Sequence, residues 1–357
     1  MERNLQDLNK KIFFYSKKNI ALINDILNKF PKKIFDIYFK PEYNLLYQNS
    51  DRKSSCFYFQ NKEKIFFYPF LLQKIDSEKN YYDITTPYGY GGPISNSADK
   101  NFLIEAEDCL NKRLLKLNVV AELIKFHPLI YNHILLKDIY RGKISKVCKT
   151  VSLNISKIAE EDLLNKIYSY SNKKSIKKAE RNECQIMISR NKDVWNKFIS
   201  LYELNLKKNK ASKKYFFSKK YYKIIKELMG ENYYIFSCKF NEEIVSSMII
   251  LYNDYYAHCH LIGSNNLARK LSANNLLHHE VIKWCKSKNI NKLHFGGGVS
   301  NDENDAVYKF KKSFSNETND FYVGERIINY EKYNELCKRM INMNQQNNKL
   351  FKYRKES

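Results

Sequence analysis

Short apolar runs separated by charged or Asn-bearing breaks dominate the first third of the chain. The segments 54–60 (SSCFYFQ), 64–75 (KIFFYPFLLQKI) and 80–86 (NYYDITT) are rich in residues that favour strands. From 99 to 116 the apolar positions recur instead at helical intervals, and 119–126 (VVAELIKF) returns to a strand pattern. The order of strand, glycine turn, helix and strand predicts an α/β unit that begins with a sheet.

The same order recurs later in the chain. Residues 255–264 predict a strand, 268–288 a helix and 291–295 a second strand. We therefore predict an α/β (α+β) fold of two similar fused units, each with a mixed, mostly antiparallel central sheet flanked by helices. The predicted domains are 1–155 and 156–330, followed by a C-terminal helix or tail over 331–357.

Charge is the strongest feature of the composition. The 357 residues include 62 Lys plus Arg against 38 Asp plus Glu, a formal net charge of +24, which favours phosphate-bearing partners. An AT-rich coding sequence would give the same excess of lysine, and a small phosphorylated ligand explains it as well as a nucleic acid does. Both explanations stay open.

The cysteines and the lengths of the apolar segments indicate where in the cell the protein is expected. The eight cysteines include no CxxC pair, which is typical of reduced thiols in a cytoplasmic protein. The N-terminal segment has no secretory signal pattern. The longest apolar run, 65–72, is too short to cross a bilayer, so we expect no transmembrane segment and a cytoplasmic location.

Three glycines end the last predicted strand in the stretch 293–315 (LHFGGGVSNDENDAVYKFKKSFS). They favour positive φ or a close approach of a ligand to the backbone, and Asn301, Asp302 and Asn304 are candidate helix caps. We expect Val307, Phe310 and Phe314 to share the buried face of the next helix.

In that helix Tyr308 and Lys311, three residues apart, are candidates for stabilising a developing anion and returning a proton to a leaving group. A surface Tyr and Lys on an amphipathic helix is the alternative interpretation.

Two further loops are candidate ligand sites. The segment 262–275 (IGSNNLARKLSANN) joins a strand to a helix whose N-terminus, with Arg269 and Lys270, is suited to a pyrophosphate. An ordinary helix capped by Ser272 or Asn266 is the alternative.

The segment 86–94 (TPYGYGGPI) interleaves Tyr88 and Tyr90 with three glycines, either for a sugar or base or as a structural loop. His258 and His260 share a strand face without further ligands at metal spacing, so we predict no metal site.

Five pieces of the chain, in order, are similar to landmarks of the Fem-type acyltransferases, which resemble two GNAT folds fused in one chain. They are 86–94, 121–129, 175–186, 201–222 and 293–315. The resemblance implies that the second unit binds the acyl donor and the first unit the acceptor. It implies no tightly bound cofactor and an acyl-CoA co-substrate.

Individual roles follow from the resemblance. Lys311 matches the lysine of the family's Phe-Lys motif near the acyl-transfer centre, and Tyr308 lies where a GNAT tyrosine acts as general acid. Arg269, Ser272 and Asn274 match the pyrophosphate loop, although its usual glycines are replaced. The predicted donor-binding set is Gly263, Ser264, Arg269, Lys270, Leu271, Ser272, Asn274 and Asn275. The predicted substrate-binding set is Tyr88, Tyr90, His127, Lys208, Tyr215 and Gly297.

The expected function is N-acylation, from acyl-CoA, of the amino group of a nucleotide-linked deoxyamino sugar used in surface polysaccharide synthesis. The alternative is a Fem-like transferase in peptidoglycan bridge formation, with aminoacyl-tRNA as donor. A third hypothesis is a non-catalytic adaptor that binds polyanions. A DNA partner is not expected under any of the three.

Overall fold

A computed structural model describes residues 10–16, 18–341 and 350–354. The chain divides into two compact units, one formed by residues 1–147 with 321–357 and one by residues 148–320. The observed boundary between the units, after residue 147, lies slightly before the predicted boundary at residue 155. The segment after 330, predicted as a separate helix or tail, belongs to the first unit.

The first unit contains a sheet of the order β1–β2–β3–β4–β6–β13, with the short β5 paired to β3. Neighbouring strands are antiparallel except β4 and β6, which are parallel. Elements are numbered along the chain. Its strands are β1 (Lys10–Phe14), β2 (Arg52–Asn61), β3 (Lys64–Lys74), β4 (Tyr82–Thr85), β5 (Ile94–Ser95), β6 (Val119–Lys125) and β13 (Thr318–Ile327, shared with the second unit). Its helices are α1 (Ile20–Leu27), α2 (Pro41–Leu45), α3 (Lys100–Lys116) and α11 (Tyr330–Ile341).

Aromatic side chains of β2 and β3 form the core of the first unit together with the apolar face of α3. Asp99 caps α3 by accepting a hydrogen bond from Phe102 N (2.8 Å), as expected for an acidic N-cap residue. The C-terminal segment is held at Asp83, which accepts from Tyr353 Oη (2.5 Å) and Arg354 Nε (2.7 Å). These buried contacts explain why the chain beyond 330 is part of this unit.

The second unit contains a sheet of the order β7–β12–β11–β10–β9–β8, in which only the β11–β12 pair is parallel. Its strands are β7 (Lys143–Asn154, which begins in the first unit), β8 (Gln185–Ser189), β9 (Tyr233–Phe240), β10 (Glu243–Tyr252), β11 (Tyr256–Ser264) and β12 (Lys292–Gly296). Its helices are α4 (Glu160–Asp162), α5 (Tyr170–Arg181), α6 (Lys192–Lys208), α7 (Lys219–Leu228), α8 (Asn266–Leu271), α9 (Ala273–Ser287) and α10 (Ala306–Lys312).

The predicted elements agree with this structure in type and order. The predicted class, mixed α/β with mostly antiparallel sheets flanked by helices, is confirmed. One difference is the helix predicted over 268–288, which is interrupted at Ser272, a residue with left-handed backbone angles (φ 60°, ψ 28°). No helix among the described residues is both long enough and apolar enough to span a membrane.

Gly263 lets α6 approach β11 very closely. A Cβ atom at this position would lie 2.3 Å from the backbone nitrogen of Tyr202 and 2.5 Å from the backbone carbon of Leu201. Backbone atoms of a packed helix cannot move aside as a flexible side chain can. The missing side chain is therefore explained by helix–sheet packing.

We predict that Gly263→Ala lowers the free energy of unfolding by about 3 kcal/mol, because α6 must shift away from the sheet. Gly230→Ala is the control, since Gly230 has positive φ (51°) but no atom within 4 Å of the added Cβ. That variant should lose about 1 kcal/mol, from backbone strain alone. Urea unfolding of both variants measures the difference, and equal losses would contradict the packing explanation.

Candidate functional site

The parallel strands β11 and β12 separate part of the way along the sheet. Their pairing runs from Tyr256 and Lys292 to His258 and His294, after which β11 continues beside β10 and β12 beside β7. Such a separation opens a slot between two strands of one sheet, where a ligand can reach the backbone.

The parallel pair of the first unit does not open in this way. There β4 and β6 remain paired to Thr85 and Leu123, and an isolated parallel bridge joins Gly91 to Phe126 further along. Gly91 N also donates to Lys125 O over 2.8 Å. Of these two equivalent strand pairs, the one in the second unit is thus the candidate ligand slot.

The glycines at the end of β12 form a tight corner. Gly296 has positive φ (84°), and a Cβ on Gly298 would lie 2.7 Å from Asp305 Oδ1. Asp305 is the cap of α10, accepting from the backbone nitrogens of Val307 and Tyr308 at 2.9 Å each. The caps predicted at Asn301, Asp302 and Asn304 were therefore wrong by a few residues, because the chain turns once more before the helix begins.

Lys311 reaches from α10 to this corner. Its Nζ donates to the carbonyl oxygen of Gly297 over 2.7 Å. Burial lowers the pKa of Lys311 to about 8, although the nearby Cys259 thiol and the Asp305 carboxylate act in the opposite direction. Lys311 in turn lowers the pKa of His278, so these four side chains form one electrostatic cluster beside the slot.

Tyr308 is more buried than the sequence indicated. It retains 6% of its exposure and packs in the core of the second unit, whereas Val307, predicted on the buried face, is 39% exposed. Phe314 is fully buried as predicted. Burial, followed by the Glu303 carboxylate, raises the pKa of Tyr308, so the phenol keeps its proton at neutral pH. Its role as proton donor stays a prediction.

His278 is a residue of this cluster for which no catalytic or binding role was predicted. Its Nδ1 lies 2.7 Å from Asn274 O, and its ring stacks on Phe314 with centroids 5.2 Å apart. Burial lowers its pKa to about 4, so the ring is neutral at physiological pH. The sequence did contain a signal for this residue, because His278 lies on the apolar face of the helix that precedes the glycine corner. A search for metal ligands does not detect such a position.

The predicted donor-binding residues lie along one connection, from the end of β11 to the first turn of α9. Asn265 caps α8, accepting from Ala268 N (3.0 Å), so neither Asn266 nor Ser272 is a side-chain cap. Ser272 has the left-handed conformation that glycine adopts most easily. The backbone geometry of a glycine is thus present here with a serine side chain.

Side chains around this connection are held by neighbouring elements. Asn274 Oδ1 accepts from Ser246 Oγ (2.5 Å), Asn274 Nδ2 donates to Ser264 Oγ (3.4 Å), and Asn275 Nδ2 donates to Asn172 Oδ1 (2.8 Å). Arg269 and Lys270 are exposed in the last turn of α8, whereas Leu271 is buried. The two cations are therefore the donor-binding candidates whose side chains are most accessible.

The predicted substrate-binding residues occur in both units. In the first, Tyr90 is half-buried against Tyr38 and His127, with ring centroids 5.8 Å away in each case. Tyr88 is half-buried, and its carbonyl accepts from Tyr43 Oη (2.6 Å). His127 has no exposed surface, and its Nε2 lies 3.0 Å from Asp36 Oδ2. The substrate-binding role of His127 stays a prediction.

The remaining members belong to the second unit. Lys208, exposed at the end of α6, donates to Asn266 Oδ1 at 2.6 Å and so touches the donor connection. The carbonyl of Tyr215 accepts from Tyr202 Oη at 3.1 Å. Gly297 is placed at the glycine corner by its bond to Lys311.

The histidines on β11 make local contacts. His260 Nε2 lies 2.6 Å from Tyr221 Oη, and burial lowers the pKa of His260 to about 3. His258 Nδ1 lies 3.4 Å from His294 Nδ1 on the neighbouring strand. His260 thus contacts helix α7, and His258 contacts the neighbouring strand β12.

Comparison with known proteins identifies the class. Residues 169–311 match a family model described as an acetyltransferase (GNAT) domain. The matched segment begins at the N-cap of α5 and ends at Lys311, and all of it lies in the second unit. A search of curated proteins gave no match.

Solved structures with the same fold cover most of the chain. The crystal structure of FemX has a TM-score of 0.71 at 12% identity, covering 91% of this chain and 99% of that chain. A tandem GNAT protein from the clavulanic acid biosynthesis pathway has a TM-score of 0.52 at 7% identity, covering 88% and 98%. The C-terminal domain of a putative lysylphosphatidylglycerol synthetase from Agrobacterium fabrum has a TM-score of 0.55 at 8% identity, covering 86% and 91%.

Residues 169–311 thus match an acetyltransferase (GNAT) domain, which supports the predicted N-acyltransferase class. Over most of its length the chain shares its fold with FemX and with the tandem GNAT protein, in agreement with the Fem-type resemblance of the sequence.

We predict that the neutral His278 makes the protein sensitive to acid. Its pKa is about 4 when folded, against about 6.5 when unfolded, so the unfolded chain binds the proton more readily. As pH falls from about 6.5 to about 4, this residue should remove roughly 2–3 kcal/mol of stability.

The variant His278→Phe keeps the ring stacking and removes the titration. Urea unfolding at several pH values should show a smaller loss in this variant than in the wild type. An identical pH dependence in the two proteins would show that His278 is not the titrating group.

Proposed function

We propose that the second unit binds an acyl-CoA between the separated ends of β11 and β12. The observation that carries this proposal is the opening of the strand pair after His258 and His294, with Lys311 beside it. The exposed Arg269 and Lys270 and the backbone N–H groups at the start of α9 are suited to the pyrophosphate.

The chemistry we propose is direct transfer to an amine. A neutral acceptor amine attacks the thioester carbonyl, and the oxyanion is stabilised by the Lys311 ammonium and a strand N–H. Tyr308, whose pKa is raised by burial, returns a proton to the departing thiolate. A protonated Lys311 is the major form below pH 8, which suits this role at physiological pH.

The acceptor we propose is the amino group of a nucleotide-linked deoxyamino sugar used in surface polysaccharide synthesis. The half-buried Tyr88 and Tyr90 support it, because flat aromatic faces and hydroxyls suit a sugar or a base.

A second candidate, transfer from aminoacyl-tRNA, is favoured by one observation. Residues 207–226 contain nine lysines and no Asp or Glu, and every lysine of this segment whose side chain is described is exposed. One of them, Lys208, touches the donor connection through Asn266. A segment of this kind is suited to the phosphates of a nucleic acid.

One assay tests the proposal with both donors. The wild type, Lys311→Ala and Lys309→Ala are incubated with nucleotide-linked amino sugars and either a panel of acyl-CoA donors or charged tRNA, and products are measured by mass spectrometry. We expect acyl-CoA turnover that falls about 10²–10³-fold in Lys311→Ala, because the oxyanion loses its cation. Lys309, exposed on the same helix, is the matched control and should be without effect.

Two results would contradict the proposal. Normal acyl-CoA turnover by a folded Lys311→Ala protein would remove Lys311 from the mechanism. Product from charged tRNA alone, with binding that weakens steeply as salt increases, would select the second candidate.

A further inference from the structure

We propose that Lys311 is itself an acylation site: when no acceptor amine is bound, its Nζ attacks the donor thioester and keeps the acyl group as an amide. This inference rests on the proposed donor site and adds a second, self-directed reaction to it. The reagent is an acyl thioester, and the residue that is modified is Lys311.

The position of the amine is the first argument. Lys311 Nζ is held 2.7 Å from Gly297 O, just beyond the end of β12. It also interacts electrostatically with Cys259, which lies on β11 directly after the last residue paired with β12. The amine therefore lies beside the ends of the two strands that separate, where the proposed thioester would lie.

The hydrogen bonding of this amine is the second argument. Among the described residues, the structure gives Lys311 Nζ one acceptor, the Gly297 carbonyl, and no carboxylate within salt-bridge distance. An ammonium has three N–H groups to satisfy, whereas a neutral amine has two and a lone pair. Because Lys311 has only this one acceptor among the described residues, its neutral form is favoured more strongly than that of a lysine whose ammonium is solvated at the surface.

The groups around the amine act in both directions on its ionisation. They come from three elements: the Cys259 thiol on β11, the His278 ring on α9 and the Asp305 carboxylate at the start of α10. His278 is neutral, while Cys259 and Asp305 favour the ammonium, and burial outweighs them, giving a pKa of about 8. At pH 8 about half of the amine is neutral, against roughly 0.4% for a lysine of ordinary pKa.

The reaction balances without another reagent. The Lys311 nitrogen forms a bond to the acyl carbon, the bond from that carbon to sulfur breaks, and the proton lost by nitrogen goes to the thiolate. The products are a lysine amide and the free thiol of coenzyme A. The amide has no charge, so an acylated chain loses the cation proposed to stabilise the oxyanion.

Peptide mapping tests the inference. The full chain is incubated with acetyl-CoA without acceptor between pH 6.5 and 9, and acetylation at Lys311 and Lys309 is quantified by mass spectrometry. Lys309 is exposed on the same helix and reports uncatalysed acetylation. We expect at least tenfold more acetylation at Lys311, rising with pH to a midpoint near 8, and loss of this preference in urea.

Coenzyme A binding, measured by calorimetry on the same sample, distinguishes failure of the self-acylation from failure of the proposed donor site. Binding without preferential acetylation of Lys311 overturns the self-acylation and leaves the proposed donor intact. Absence of both binding and acetylation overturns both proposals. Lys311→Arg, which keeps a cation but removes the nucleophile, should bind coenzyme A and show no label at position 311.

Discussion

The hydrogen bond from Lys311 to the Gly297 carbonyl joins α10 to the end of β12, and the chemistry proposed for the second unit depends on it. It fixes the amine beside the point where β11 and β12 separate. The turn that makes it possible is itself constrained, because Gly298 leaves room for the Asp305 carboxylate that caps α10. Removing the bond would leave a lysine with no defined place relative to the open strands.

The difference between the two units follows from strand pairing. Both contain a parallel pair of strands joined through a helix, and in the first unit that pair is closed by continued backbone hydrogen bonding to Gly91. In the second unit the corresponding pairing stops after three residues on each strand. A closed pair has its backbone groups committed to hydrogen bonds within the sheet. The two units therefore differ at this point, with a closed pair in the first and an open pair in the second.

Much of the fold could be predicted because apolar periodicity and glycine positions are local properties. The strands around 54–75 and the helix after Asp99 follow directly from them. The break at Ser272 in the helix predicted over 268–288 could not be predicted, because serine gives no signal for a left-handed backbone. The resemblance to Fem-type enzymes supplied the tandem GNAT arrangement, which local patterns do not specify.

The candidate site was predictable only in part. Lys311 stood out from its spacing to Tyr308 on the helix that follows the glycines and from the Phe-Lys motif of the resembled family, and the structure connects Lys311 to Gly297. His278 and Asp305 had no predicted role beside Lys311, and the burial of His127 was not predicted, because burial depends on contacts between residues far apart in sequence. The lowered pKa of Lys311 could not be predicted for the same reason, because its electrostatic partners Cys259 and His278 come from other elements of the fold.

Hydrogen–deuterium exchange with and without coenzyme A is the decisive measurement of whether the open strand pair of the second unit holds the acyl donor. We expect slower exchange on binding for amides in 259–264 and in the first turn of α9. Exchange in β4 and β6 of the first unit should not change. Protection confined to β4 and β6, or bound coenzyme A that leaves the second unit unprotected, would show that the open strand pair is not the donor site.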